Sequence, residues 1–144
     1  MKKDIYTFID IICNNLKIKK PRIQIKHGTF VSGTVLAAYN YKNKKIVIND
    51  PKSYENKADL LLAIAHELRH KYQIDHDMFD FENYKTSKGL TIEEYNLKKE
   101  EIDANAYACV VMMDLFGIKP LFNGLSTKVV REIEKKVDEI VSEC

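Results

Sequence analysis

The stretch "LLLAIAHELRHKYQIDH", Leu60 to His76, constrains this chain more than any other. Its residues Leu60, Leu61, Leu62, Ala63, Ile64, Ala65 and Leu68 leave almost no polar face on a helix, and a helix that is apolar nearly all round is a buried one. The spacing predicts that helix from near Asn56 to about Gln73. His66, Glu67 and His70 then sit in apolar surroundings, where an imidazole or a carboxylate is costly unless something binds or pairs it. A metal ion is the obvious partner.

His66 and His70 are four residues apart, so on a helix their side chains lie one turn above each other, roughly 5 to 6 Å apart at Cβ. That spacing suits two ligands of a tetrahedral Zn²⁺. Glu67 between them is placed to take a proton from the zinc's water and to pass it to a leaving amine. The metal brings that water's pKa to about 7 and polarises a scissile carbonyl. The bland alternative is a pair of histidines hydrogen-bonded in a core without an ion, and it requires several partners for them.

A catalytic zinc of this kind takes a third protein ligand and leaves its fourth position open. Two residues compete for the place. In "KKEEIDANAYA", Glu101, Asn105, Ala108 and Met112 share one face of a later helix. If that face meets the histidine helix, Glu101 completes the ligand set and Asn105, one turn on, orients a ligand histidine. Glu100 and Asp103 read instead as acidic residues favouring a helix N-terminus. The rival is His76, because "HELRHKYQIDH" has the HExxHxxxxxH count of the metzincins. Metzincins have a glycine where this chain has Gln73, and on a continuing helix His76 faces about 240° away from His70. Met112 and Met113 fall inside a predicted helix and form no Met-turn.

The 144 residues, 45% hydrophobic and 31% charged, suit a single domain over 1–144 with a core of its own. A first amphipathic helix carries Ile5, Phe8, Ile9, Ile12 and Leu16 at helical spacing. Arg22 to His27 alternates as a strand, and a loop with Gly28 and Gly33 follows. "TVLAAYNY" and "KIVIND" then read as a hairpin turning at Lys42, Asn43 and Lys44, closed by Asp50 and Pro51. Residues 74–90 read as a polar loop. A further helix starts at Thr91, where "TIEE" has capping-box spacing, or at Asn96, and stops near Gly117. A last helix runs from about Ser126, with Val130, Ile133, Val137 and Ile140 on one side. The fold class is α+β: a small antiparallel three-stranded sheet packed on the buried HExxH helix, an N-terminal helix and two C-terminal helices.

Charge gives little direction. The balance of 23 basic and 21 acidic residues is too even to argue for a nucleic-acid or membrane surface. Lys17, Lys19, Lys20, Arg22 and Lys26 cluster without interleaved aromatics and read as a solvated face. The apolar N-terminus holds Asp10 and lacks a small-residue cleavage site, so it is not a signal peptide, and no segment is long enough to span a bilayer. Cys13, Cys109 and Cys144 lack CxxC spacing, and reduced thiols with a cytoplasmic location are the expectation.

With HExxH and the downstream Glu101, Ala104, Asn105, Tyr107 and Ala108 in view, residues 34–118 resemble the gluzincins. The likeness is closest to short bacterial and phage metallopeptidases of the ImmA/IrrE type and to minimal gluzincins. It implies a zincin-like fold, Zn²⁺ held by His66, His70 and Glu101, and Glu67 as general base. It also implies that the first hairpin strand, with Ala37, Ala38 and Tyr39, pairs main chain to main chain with an extended peptide. Larger gluzincins carry a further histidine or tyrosine for the oxyanion. No histidine follows His76, and Tyr39, Tyr95 and Tyr107 are the phenols available for that role.

Two functions follow as expectations. The first is a zinc-dependent endopeptidase cleaving a protein or peptide substrate. The second is a catalytically silent module of the same fold that binds a protein partner in the same groove. An intact Glu67 favours the first, and the missing oxyanion histidine favours the second.

Overall fold

The computed structural model describes residues 2–26, 36–49, 57–82, 89–122 and 124–143. Helix α1 (Lys2–Leu16) is followed by strands β1 (Arg22–Lys26), β2 (Ala37–Asn40) and β3 (Lys45–Asn49). Helices α2 (Lys57–Asp75), α3 (Ile92–Asn96), α4 (Lys99–Phe116) and α5 (Thr127–Ser142) complete an α+β arrangement. The expected roles of His27, Gly28, Gly33, Asp50, Pro51 and Asn56 lie outside the described residues.

Helix α1 buries Ile5, Phe8, Ile9, Ile12, Cys13 and Leu16, the face its periodicity dictates. It stops where Lys17 turns left-handed (φ 55) and the Ile18 amide donates back to the Cys13 carbonyl at 3.0 Å. Helix α2 is apolar nearly all round in sequence and accordingly central: it packs against α1, β2 and α4. It ends in the same way, with Asp77 at φ 56 and the Met78 amide on the Gln73 carbonyl.

The sheet departs from expectation in one respect. Its order is β1-β3-β2, with β2 antiparallel to β3 as the hairpin requires but β1 parallel to β3. The sheet is therefore mixed and not antiparallel throughout. Alternation of apolar residues shows which side of a strand is buried but carries no information about its direction. The hairpin is local: Asn40 Oδ1 accepts from the amides of Lys42 (3.0 Å) and Asn43 (3.4 Å), and Lys44 takes φ 52. The parallel register Ile23↔Ile46 and Ile25↔Ile48 puts the isoleucines of β1 on the face where Ile46 and Ile48 are fully buried. Strand β2 is left at an edge of the sheet.

Between α2 and the last helix the described residues form the helices α3 and α4, where one helix was expected. Thr91 caps α3 with a full capping box, its Oγ1 accepting from Glu94 N and its own amide donating to Glu94 Oε1, both at 3.1 Å. Asn96 is the last residue of that short helix and caps nothing. An extended Lys98 (φ −60, ψ 139) separates it from α4, which runs on until Gly117 turns left-handed at φ 65. Among the described residues α3, α4 and α5 thus follow α2, where two helices were expected. Ala104 and Ala108, three and seven residues beyond Glu101, are fully buried, and small side chains on that face let α4 approach α2 closely. Ser126 caps α5 through Val129 N (3.3 Å), and Val129, Ile133 and Ile140 are buried, with Val129 in the place expected for Val130.

The basic run near the N-terminus is solvated except at Lys26, which is half-buried in β1. Lys17, Lys19, Lys20 and Arg22 are exposed, Lys20 pairs with Asp10 at 3.0 Å, and Arg22 donates to the Asn43 carbonyl at 3.1 Å. Cys13 and Cys109 are free and buried, and burial pushes both thiols up. No helix among the described residues is long and apolar enough to cross a membrane.

Candidate metal centre

The α-helical repeat sets His66 and His70 on one side of α2, and their rings meet edge to face with centroids 4.7 Å apart. The two Nε2 atoms stand 3.1 Å from each other. Helix α4 brings Glu101 to the same point, with Oε2 at 2.7 Å from His70 Nε2 and Oε1 at 3.4 Å from His66 Nε2. One ligand atom from each of the three residues lies within 4.8 Å of the others. Behind them, His66 Nδ1 faces Asn105 Oδ1 at 2.7 Å and His70 Nδ1 faces Gln73 Oε1 at 2.8 Å.

This donor set fits a metal ion. With Nδ1 of each ring against an amide oxygen, the two Nε2 lone pairs and the Glu101 carboxylate converge, and three acceptors in one place need a shared positive centre. Donors about 2.0–2.1 Å from a tetrahedral ion stand about 3.3 Å from one another, and the contacts here run from 2.7 to 3.4 Å. The electrostatics agree. Burial opposes ionisation of Glu101, but the two imidazoles beside it outweigh that and hold its carboxyl well below the usual range. Burial likewise opposes charge on His70, yet Glu101, Glu67 and Gln73 around it push its pKa up to about 9.

Glu67 opens onto the same site without joining the three. Burial raises its carboxyl first, and the charge of Glu101 adds to that, while His66, His70 and a hydrogen bond from the Tyr39 backbone amide act the other way. Strand β2 therefore touches the centre through its main chain. Ala37 is buried and Ala38 half-buried beside Tyr39, whose side chain lines the cleft.

The cleft has a volume of about 320 Å³ and is walled by Tyr39, Tyr41, Ile74, Phe79, Phe81 and Tyr95 around His66, Glu67, His70 and Glu101. Phe79 stands edge-on to His70 (5.7 Å) and packs on Phe81 (4.8 Å), which reaches Tyr41 of the hairpin (5.0 Å). These two phenylalanines come from the stretch that reads as polar loop. The repeated aromatic in "MFDF" is the signal that marks them.

His76 does not join the centre. It is exposed, donates Nδ1–H to the Tyr72 carbonyl (3.0 Å), stacks on the Tyr72 ring (4.2 Å) and lines a separate cleft. Helix α2 continues to Asp75, so six residues carry His76 round to the far side of its axis. Tyr107 is also elsewhere, its hydroxyl on Asn15 Oδ1 at 2.8 Å, so of the three phenols expected for the oxyanion Tyr39 and Tyr95 stand in the cleft, where Tyr41 joins them.

Four residues, Arg69, Gln73, Glu100 and Asp103, take interior roles that sequence reasoning did not give them. Arg69 grips Asp103 with Nε on Oδ2 (2.8 Å) and Nη2 on Oδ1 (3.1 Å), and its guanidinium lies over the rings of Tyr72 and Tyr107. Gln73, 1% exposed, sits between Asp103 and His70. Glu100 is also buried, and its Oε2 accepts from the Asp80 amide at 3.0 Å. Glu100 does stand in the acidic first turn of α4, as expected, but it and Asp103 are buried, and Asp103 is the partner of Arg69. An arginine and an aspartate placed in otherwise apolar helices were the available clue.

Comparison with protein-family models, with curated proteins and with solved structures gives no match to this chain.

Proposed function

We propose that this protein is a zinc-dependent endopeptidase of the gluzincin type, with a zincin-like arrangement of helix α2, the sheet edge β2 and helix α4. The observation that carries the reading is the convergence of His66, His70 and Glu101 ligand atoms within 4.8 Å, with Glu67 in the same cleft. A set of two imidazoles and one carboxylate suits Zn²⁺ and leaves room for a fourth ligand. Bound there, Zn²⁺ supplies Lewis acidity that makes a water nucleophilic near neutral pH and polarises a carbonyl.

The chain's own residues do the rest. Glu67, its basicity raised by burial and its carboxylate steadied by the Tyr39 amide, takes the proton of the attacking water and delivers it to the leaving amine. Asn105 holds His66 in place from behind. The edge strand β2 offers main-chain groups to an extended peptide, and the phenols of Tyr39 and Tyr95 are the candidates for steadying the oxyanion. The aromatic walls favour an apolar side chain beside the scissile bond.

A silent binding module is the second reading, favoured by the same aromatic cleft, which can hold a partner's apolar side chain without cutting it. Glu67→Gln separates the two. For a peptidase, hydrolysis of an unfolded protein such as casein falls by about 10²–10⁴-fold while zinc content stays at the wild-type level. Zinc-loaded wild type with no hydrolysis above that of Glu67→Gln would leave the binding module as the function.

A further inference from the structure

The two histidines of the centre are held by amides of different kinds. Among the described residues Asn105 sets Oδ1 against His66 Nδ1, and its contact with that ring is its one side-chain hydrogen bond. Gln73 is held at both ends of its amide. Its Nε2 donates to the Glu100 carbonyl at 3.0 Å and to Asp103 Oδ2 at 2.8 Å, and both of these groups only accept. Asp103 is an acceptor because Arg69 grips both of its oxygens, and Lys136 Nζ approaches Oδ1 at 3.9 Å. Turning the Gln73 amide over would set its oxygen against two acceptors in a site 1% exposed, where water cannot compensate. Oε1 must therefore face His70, and His70 Nδ1 must carry the hydrogen that meets it at 2.8 Å.

We propose that Gln73 is a positioning residue of the metal centre, which fixes His70 as the Nδ1–H tautomer and dedicates its Nε2 to the ion, with Asp103 and Arg69 as the anchor. The inference rests on the reading of His66, His70 and Glu101 as metal ligands. Arg69 lies within the five-residue HELRH motif itself and is four residues before Gln73, so one face of α2 carries both ends of the relay. The variable position before the second histidine thus acts, through Asp103 of α4, on that same histidine.

The test compares zinc affinity, by chelator competition, and the visible spectrum of the cobalt(II) form in wild type, Gln73→Leu and Gln73→Glu, with folding followed by circular dichroism. Leucine fills the space without an acceptor, whereas glutamate, protonated where its second oxygen meets Asp103 Oδ2, donates there and keeps a carbonyl oxygen for His70 Nδ1–H. The expected result is zinc affinity about 10–100-fold weaker in Gln73→Leu, an altered cobalt spectrum, and recovery of most of the affinity in Gln73→Glu. A residue that only fills space gives the reverse ranking, with Gln73→Leu close to wild type, and that ranking overturns the inference while leaving the metal centre standing. Wild type that takes up neither zinc nor cobalt overturns both. Should Gln73→Leu fail to fold, ¹⁵N spectra of histidine-labelled, zinc-loaded wild type decide: a slowly exchanging His70 Nδ1–H supports the inference, and a proton on Nε2 overturns it.

Discussion

His66 Nδ1 and Asn105 Oδ1 meet at 2.7 Å although 39 positions separate them along the chain. The contact pins the face of α4 that carries Glu101 against the face of α2 that carries both histidines. The candidate centre is therefore a property of the α2–α4 interface, and what disturbs that interface disturbs the centre.

The metal content of the purified protein follows from this arrangement. Elemental analysis is expected to find about one zinc per chain, lost in Glu101→Ala and retained in His76→Ala, because His76 lies on the other side of α2. Zinc lost only in His76→Ala would reverse the assignment of the third ligand. Asn105→Ala should retain the ion with affinity lower by about 10–100-fold, since it touches a ligand and not the ion.

Stability should depend on pH in opposite senses with and without metal. In chelator-treated protein the folded pKa of His70 is about 9 against an ordinary 6.5, a raised value. Its contribution is complete below 6.5 and is lost as pH rises through 9, so thermal midpoints should fall across that window. Zinc needs His70 as a neutral ligand, so zinc binding should release protons and strengthen with pH over the same range. Parallel melting curves in chelator and in zinc from pH 6 to 9.5 measure both effects. A chelator curve that stays flat would rule out the raised value.

Packing at the interface gives a test independent of any ion. Ala108 is fully buried on the helix face of Glu101. Ala108→Leu is expected to cost about 1–3 kcal/mol in urea unfolding by overfilling the contact, and to weaken zinc binding by moving Glu101 away from the histidines. Ile9→Ala, in α1, should cost about 2–5 kcal/mol with zinc affinity unchanged in the folded fraction.

The thiols report on the core. Cys13 and Cys109 are buried, and burial raises both above the ordinary thiol value. Reaction of either with a disulfide reagent should be slow in native protein and rapid in denaturant. Fast labelling of Cys13 in native protein would contradict the burial of α1.

The features that the sequence by itself determined are those written within a few residues. The buried face of α1, the capping box at Thr91, the stop at Gly117, the cap at Ser126 and the β2–β3 hairpin depend on spacings of two to five residues and on the chemistry of single side chains. The pairing of His66 with His70 belongs with them, because a four-residue spacing on a helix makes two side chains neighbours whatever surrounds them. Tertiary structure decided the rest. The parallel direction of β1 is set by where the chain crosses, and strand alternation reads the same in either direction. Whether Glu101 or His76 stands beside the histidines depends on which face of α2 meets α4. The enclosure of Arg69, Asp103 and Gln73, and the folding of Phe79 and Phe81 over the cleft, arise from the same packing. A polar residue's partner across 30 or more positions is chosen by how whole helix faces bury together, and no local period encodes that choice.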